Sequence, residues 1–154
     1  MNNDVVTIIL AAGKSTRMKS ALPKTLHPIA GRPMLGHVLE AVGGSKAAST
    51  ILVIGPDMDN VADYAKSITP KLGIAIQHNQ RGTGDAVKAA MPQIAATSGV
   101  ALVIFGDTPL VRAETLTGMA DACTDDTPIV VLGFEAADPT GYGRLVLDAK
   151  GVPS

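Results

Sequence analysis

Within residues 10–24 the chain reads LAAGKSTRMKSALPK, which places Lys14, Arg17, Lys19 and Lys24 close together with no acidic residue among them. Ahead of these cations stand Leu10, Ala11, Ala12 and Gly13. The small residues let backbone N–H groups approach a ligand closely and form an anion-binding concavity. An arginine at position 17 can fork two phosphate oxygens, whereas Lys24 is a mobile point charge. The chemistry this composition favours is the holding of phosphate groups; a solvated basic loop is the plainer alternative. Gly13-Lys14-Ser15 looks like the end of a Walker P-loop. That motif needs a second glycine five residues earlier, and Ile8 stands there.

Three further clusters complete the inventory. Gln77 precedes Gly82-Thr83-Gly84-Asp85. A glutamine carboxamide both donates and accepts, which suits the edge of a pyrimidine base. Gly82 permits close approach of backbone to that base, and Thr83 adds a hydroxyl. A dinucleotide-type G-x-G-x-x-G reading fails because Val87 occupies the third glycine position. Asp85 at a helix start is also explained as a cap. Phe105-Gly106-Asp107-Thr108-Pro109 ends an apolar run with a carboxylate, a hard-oxygen ligand suited to Mg2+, or alternatively a turn cap. Gly141-Tyr142-Gly143-Arg144 offers flexible backbone that could hold a sugar substituent, or a plain glycine turn. Cys123 is the sole cysteine and lacks a nearby histidine to activate it. His27 and His37 read as packing residues and His78 as a surface residue, since no metal-ligand spacing includes them.

These clusters need elements that bring them together. Val5–Leu10, Ile51–Gly55, Gly73–Gln77, Val100–Phe105 and Ile129–Phe134 are short, nearly continuous apolar runs, the pattern of strands covered on both faces. Met34–Ala47, Asn60–Ile68, Asp85–Ala96 and Arg112–Cys123 carry helical spacing. Strands alternating with helices predict an α/β fold, a Rossmann-like doubly wound and mostly parallel sheet with helices on both faces. In such a sheet ligands bind beyond the carboxyl ends of the strands, where these clusters fall.

The bulk numbers agree with a folded globular chain. It has 154 residues, 46% hydrophobic and 18% charged, with formal net charge −1. That balance excludes disorder and argues against nucleic acid or an anionic membrane as partner. No apolar run approaches the roughly 18 residues of a membrane span. The N-terminus has no basic segment followed by an apolar one, and the lone cysteine suits a reducing compartment. Cytoplasmic location is the expectation. Residues 1–154 are expected to be one domain whose final residues, GRLVLDAKGVPS, resemble a cut through it.

The stretch LAAGKSTRMKSALPKTLHPIAGRPML resembles the L-A-A-G-x-G-T-R-M…P-K signature of sugar-1-phosphate nucleotidyltransferases. Its continuation is similar to the bacterial enzymes that pair an N-acetylglucosamine-1-phosphate uridylyltransferase with a glucosamine-1-phosphate acetyltransferase. Q…GTGDA, GDTPL and GYGR follow in that family's order, so the resemblance covers essentially the whole chain. It implies transfer from UTP to N-acetylglucosamine 1-phosphate, giving UDP-N-acetylglucosamine and pyrophosphate for cell-wall precursors. Catalytic roles would fall to Arg17 and Lys24. Nucleotide contacts would come from Leu10, Ala11, Ala12, Gly13, Lys24, Gln77, Gly82 and Thr83, a sugar contact from Gly143, and Mg2+ ligation from Asp107. Ser15, Asp85 and Phe105 depart from the usual glycine, histidine and tyrosine. The family protein is longer and trimerises through a β-helix acetyltransferase domain, so a UTP-binding half with little turnover is expected here. A transferase of other nucleotide or sugar specificity, and a non-catalytic nucleotide-binding domain, are the alternatives.

Overall fold

The structure is a computed structural model that describes residues 4–13, 18–79, 81–94 and 99–148. Its centre is a four-stranded parallel sheet of β1 (Val5–Leu10), β4 (Ala47–Ile54), β5 (Gly73–Ile76) and β6 (Val100–Phe105), in the order β5-β4-β1-β6. A two-residue hairpin of β2 (Pro28–Ile29) and β3 (Arg32–Pro33) lies apart from it. The helices are α1 (Met34–Gly43), α2 (Asp59–Ile68), α3 (Thr83–Ala90) and α4 (Ala113–Ala122).

The strand order explains where the helices go. From β1 the chain steps to β4 and on to β5, then returns across the sheet to β6. A right-handed crossover made in the reverse direction lays its helix on the opposite face. Accordingly α1 and α2 pack with α4 over Ile9, Leu52, Leu102 and Ile104, whereas α3 packs over Ile8, Leu10, Ile51 and Val53. Alternate residues of β1 and β4 thus feed two cores, one on each face. Helices on both faces of a parallel sheet confirm the fold class read from the sequence.

Two expectations are corrected. Ile129–Phe134 is no strand: residues 123–148 form neither helix nor strand beyond an isolated bridge at Leu147. A strand requires ladder partners for its N–H and C=O groups, and apolar composition alone supplies none. Ile129 and Phe134 stay 79% and 71% exposed, and Phe134 meets the Tyr142 ring edge-on at 5.2 Å. Nor is β6 buried on both faces. Val100, Leu102 and Ile104 are buried while Ala101, Val103 and Phe105 are exposed, because α3 packs mainly on β1, β4 and β5 and leaves that face of β6 open.

Beyond the strand ends the ladder runs one residue further, and this aligns the functional loops. Ala11 N donates to Val53 O at 2.8 Å, Gly106 N to Leu10 O at 2.9 Å, and Gln77 N to Ile54 O at 2.8 Å. These backbone bonds hold the first residues after β1, β6 and β5 at one edge of the sheet. No described helix is long and apolar enough to cross a membrane.

Candidate nucleotide-binding site

At that edge lies a cavity of about 300 Å³, lined on one side by Leu10, Ala11, Ala12 and Gly13 after β1. Gln77, Gly82 and Thr83, between β5 and α3, form another wall. Lys24 and Asp107 complete it together with Thr25, Ala86 and Phe105. It lies beyond the carboxyl ends of the paired strands β1 and β6, where the strand order reverses and such sheets bind ligands. The structure therefore brings together every expected nucleotide-contacting residue and Asp107. Arg17, with Lys14 and Ser15, lies outside the described residues.

Lys24 enters from a short 3-10 turn, Lys24–Leu26, entered from Pro23. Pro23 fixes the backbone into that turn, and Leu26 N closes it on Pro23 O at 2.9 Å. From there the Lys24 Nζ reaches Asp107 Oδ2 at 2.6 Å, across 83 positions of sequence. Their side chains are 43% and 30% exposed, so the pair sits at the cavity mouth and not in a dry core.

Asp107 is thereby shown to face a position that favours positive charge. Among the described residues no group of three or more His, Cys, Asp or Glu could hold a metal. Asp107 offers one carboxylate, and Mg2+ commonly takes one or two carboxylates and completes its shell from substrate phosphates and water. The donor set fits a metal carried in with a triphosphate; it does not fit a fully caged structural ion.

The base-side wall is built around Gln77, which is only 5% exposed. Its Nε2 donates to Gly82 O at 3.0 Å and to Asp85 Oδ2 at 2.9 Å. Asp85 also accepts from Arg81 N at 3.4 Å. Helix α3 begins after Gly82, whose φ of 104° explains the glycine there. Asp85 is thus not the cap residue itself. It stands in the first turn and reaches back to the turn that precedes the helix. The Gln77 hydrogen bond, followed by the Arg81 N–H, holds its carboxyl below the ordinary value near 3.8.

Other expected residues fall elsewhere. Gly143 lies in the exposed segment after α4 and does not line the cavity. His27 and His37 bond through Nε2 to Leu22 O and Ile29 O, local anchors consistent with packing, and His78 is exposed. Cys123 is half-buried, with Sγ 3.6 Å from Pro128 O. Sequence reasoning had missed Thr25 and Ala86. Ala86 could have been found three residues past Thr83, on the same helix face. Thr25 gave no signal; its Oγ1 is buried without a hydrogen-bond partner among the described residues.

Gly106 sets the spacing of the crevice. A Cβ there would stand 3.2 Å from Thr25 Cγ2 and 3.3 Å from the Ala11 Cβ. Gly106→Val should therefore cost about 1–3 kcal/mol as an overpacking change and push the end of β6 away from β1. Thermal melts would register the loss, and Gly106→Ala should lie between the two.

Residues 7–149 match the MobA-like NTP transferase domain family. The bifunctional protein GlmU of Parvibaculum lavamentivorans is 63% identical over 145 residues, which cover 94% of this chain and 32% of that protein. GlmU of Rhodopseudomonas palustris strain BisB5 is 50% identical over 143 residues, covering 93% and 32%. The chain thus spans about a third of the length of these curated relatives. Among solved structures, a UDP-glucose pyrophosphorylase complexed with UDP-glucose superposes with TM-score 0.65 at 19% identity, over 80% of this chain and 54% of that one. Rv0371c from Mycobacterium tuberculosis in complex with manganese gives 0.61 at 20%, over 78% and 59%. At these identities the two structures speak for the fold.

Proposed function

The chain belongs to the MobA-like NTP transferase family, and from that premise we propose that it binds UTP with Mg2+ as the nucleotide-holding part of an N-acetylglucosamine-1-phosphate uridylyltransferase. The observation that carries this reading is the convergence of Ala11–Gly13, Gln77, Lys24 and Asp107 on one cavity at the reversal of strand order. The identity to GlmU proteins, which reaches 63%, supports this substrate pair among those the fold could serve.

In this reading the uracil lies against Gln77, Gly82 and Thr83, and the triphosphate crosses the backbone N–H groups of Ala11 to Gly13. An oxygen of N-acetylglucosamine 1-phosphate attacks the α-phosphorus; a new P–O bond forms as the bond to the β-phosphate breaks, and pyrophosphate leaves. No covalent adduct to the protein is required, so the side chains act by positioning and by charge. Lys24 moves from Asp107 to the α-phosphate and offsets its growing negative charge. Asp107 would hold the divalent ion, which when bound would supply further charge neutralisation. Arg17 is assigned to the departing pyrophosphate on sequence grounds. The sugar contact of Gly143 would require the segment after α4 to approach the cavity. We assign residues 1–154 to the UTP-binding portion of the transferase and expect weak or no turnover from them.

Calorimetric titration with UTP, CTP, GTP and dTTP, with and without Mg2+, tests the proposal. UTP should bind most tightly and need the metal. Failure of all four nucleotides to bind would overturn it, and near-normal UDP-N-acetylglucosamine formation would overturn the expectation of weak turnover.

A further inference from the structure

The Gln77 carboxamide is ambiguous in principle, since it could present either its oxygen or its amino group to a ligand. Here the surroundings decide. Gly82 O and the Asp85 carboxylate are both acceptors, and each must face an N–H. The amide has two N–H donors, and the two acceptors use both of them. Turned over, the carboxamide would set its oxygen against a carbonyl and a carboxylate. Among the described residues the bonds of this side chain run through Nε2, so Oε1 is the atom with capacity to spare on a cavity-lining residue.

We infer that Asp85 is a positioning residue for base selection: with the Gly82 carbonyl it locks the Gln77 carboxamide so that Oε1 faces the ligand and selects a base with a ring N–H. Uracil presents such a donor at N3. Cytosine presents a bare nitrogen there, which would meet Oε1 acceptor to acceptor. The inference rests on the reading of this cavity as a nucleoside triphosphate site, and adds to it the group that sets the choice. A polar site that cannot pair with the wrong partner discriminates far better than an apolar one. Asp85 suits the task because its carboxylate also takes the Arg81 N–H, which ties its orientation to the start of α3. Two cations on neighbouring positions, Arg81 and Lys88, further favour its ionised form.

The test compares the unaltered chain with Asp85→Ala and Asp85→Asn in two measurements. Asp85→Asn keeps an acceptor oxygen at the same reach and serves as the conservative control. First, solvent exchange of the Gln77 side-chain amide protons is followed by 1H–15N spectroscopy without nucleotide. Asp85→Ala should speed it at least tenfold and Asp85→Asn should leave it near the original rate; unchanged exchange in Asp85→Ala overturns the lock. Second, UTP and CTP affinities are measured with Mg2+. Asp85→Ala should narrow the UTP-to-CTP ratio by about tenfold, mostly through weaker UTP binding, while Asp85→Asn keeps it. Equal weakening of both nucleotides would mean that Asp85 only steadies the helix start, and overturns the inference. If the unaltered chain binds neither nucleotide, the proposed function falls and base selection with it. The exchange result still reports independently whether Asp85 holds the amide.

Discussion

Asp107→Ala should lower the Mg2+-dependent affinity for UTP on the order of a hundredfold, while moving the stability of the fold by no more than about 1 kcal/mol. The two magnitudes differ because the observed ion pair and the proposed metal contact of this residue are of unequal worth. Its ion pair with Lys24 is 2.6 Å long but lies at 43% and 30% side-chain exposure, where solvent screens most of the attraction. Losing that pair costs the fold little. The proposed metal contact would have no such substitute, since among the described residues no group of three or more His, Cys, Asp or Glu could take it over. A hundredfold loss corresponds to about 2.7 kcal/mol, well above the stability change. Asp107→Asn should behave similarly for binding, since a neutral amide oxygen replaces a charged ligand. Titrating UTP with and without Mg2+, beside a thermal melt, checks both parts. An Asp107→Ala chain that kept metal-dependent UTP binding would remove the metal role from this residue.

The same pair shows what a sequence discloses and what it withholds. Asp107 and Lys24 were each legible as residues able to act on phosphate, one by its place after an apolar strand, the other by the cationic stretch around it. Their direct contact was not, because it depends on the β1–β6 register that lays Leu10 beside Phe105. Contact between Gln77 and Asp85 was hidden for a different reason: it forms through a turn in which Gly82 takes a positive φ, and residue types alone do not fix that path. Strands β1 and β6 were read with their observed ends, since runs of Val, Ile and Leu stop there at small residues. β4 starts four residues earlier than its apolar run suggests. Ala47 to Thr50 have modest strand preference, and pairing with β1 extends them. α1 stops at Gly43 where the pattern of alanines ran on to Ala47, because two successive glycines favour leaving the helix. α3 gives way at Met91, ahead of Pro92, which disfavours continuing the helix from the residue before it. The hairpin at Ile29-Ala30-Gly31-Arg32 went unread. Its turn needs positive φ at both central residues, and alanine at the first is an unusual occupant.

Periodicity also treats as equal two apolar residues that the fold does not, and the largest stability effect should expose this. Leu52→Ala should destabilise the chain by about 2–5 kcal/mol and lower its Tm by roughly 5–15 °C. Leu52 is fully buried on β4, between β1 and β5, and its side chain belongs to the core beneath α1, α2 and α4. Neighbouring strands fix its backbone on both sides, so the surroundings cannot close over the space that truncation leaves. Val103→Ala removes a similar aliphatic group from an equally apolar run. Yet Val103 is 42% exposed on the face of β6 that α3 leaves uncovered, and its loss should stay near 0.5 kcal/mol. Urea denaturation of both variants decides the matter. Similar losses would mean that the outer face of β6 is covered in solution, and would overturn the one-sided burial found here. A wide gap would show that the crevice between β1 and β6 is built on a strand anchored from one face, with its register to β1 setting the position of Asp107.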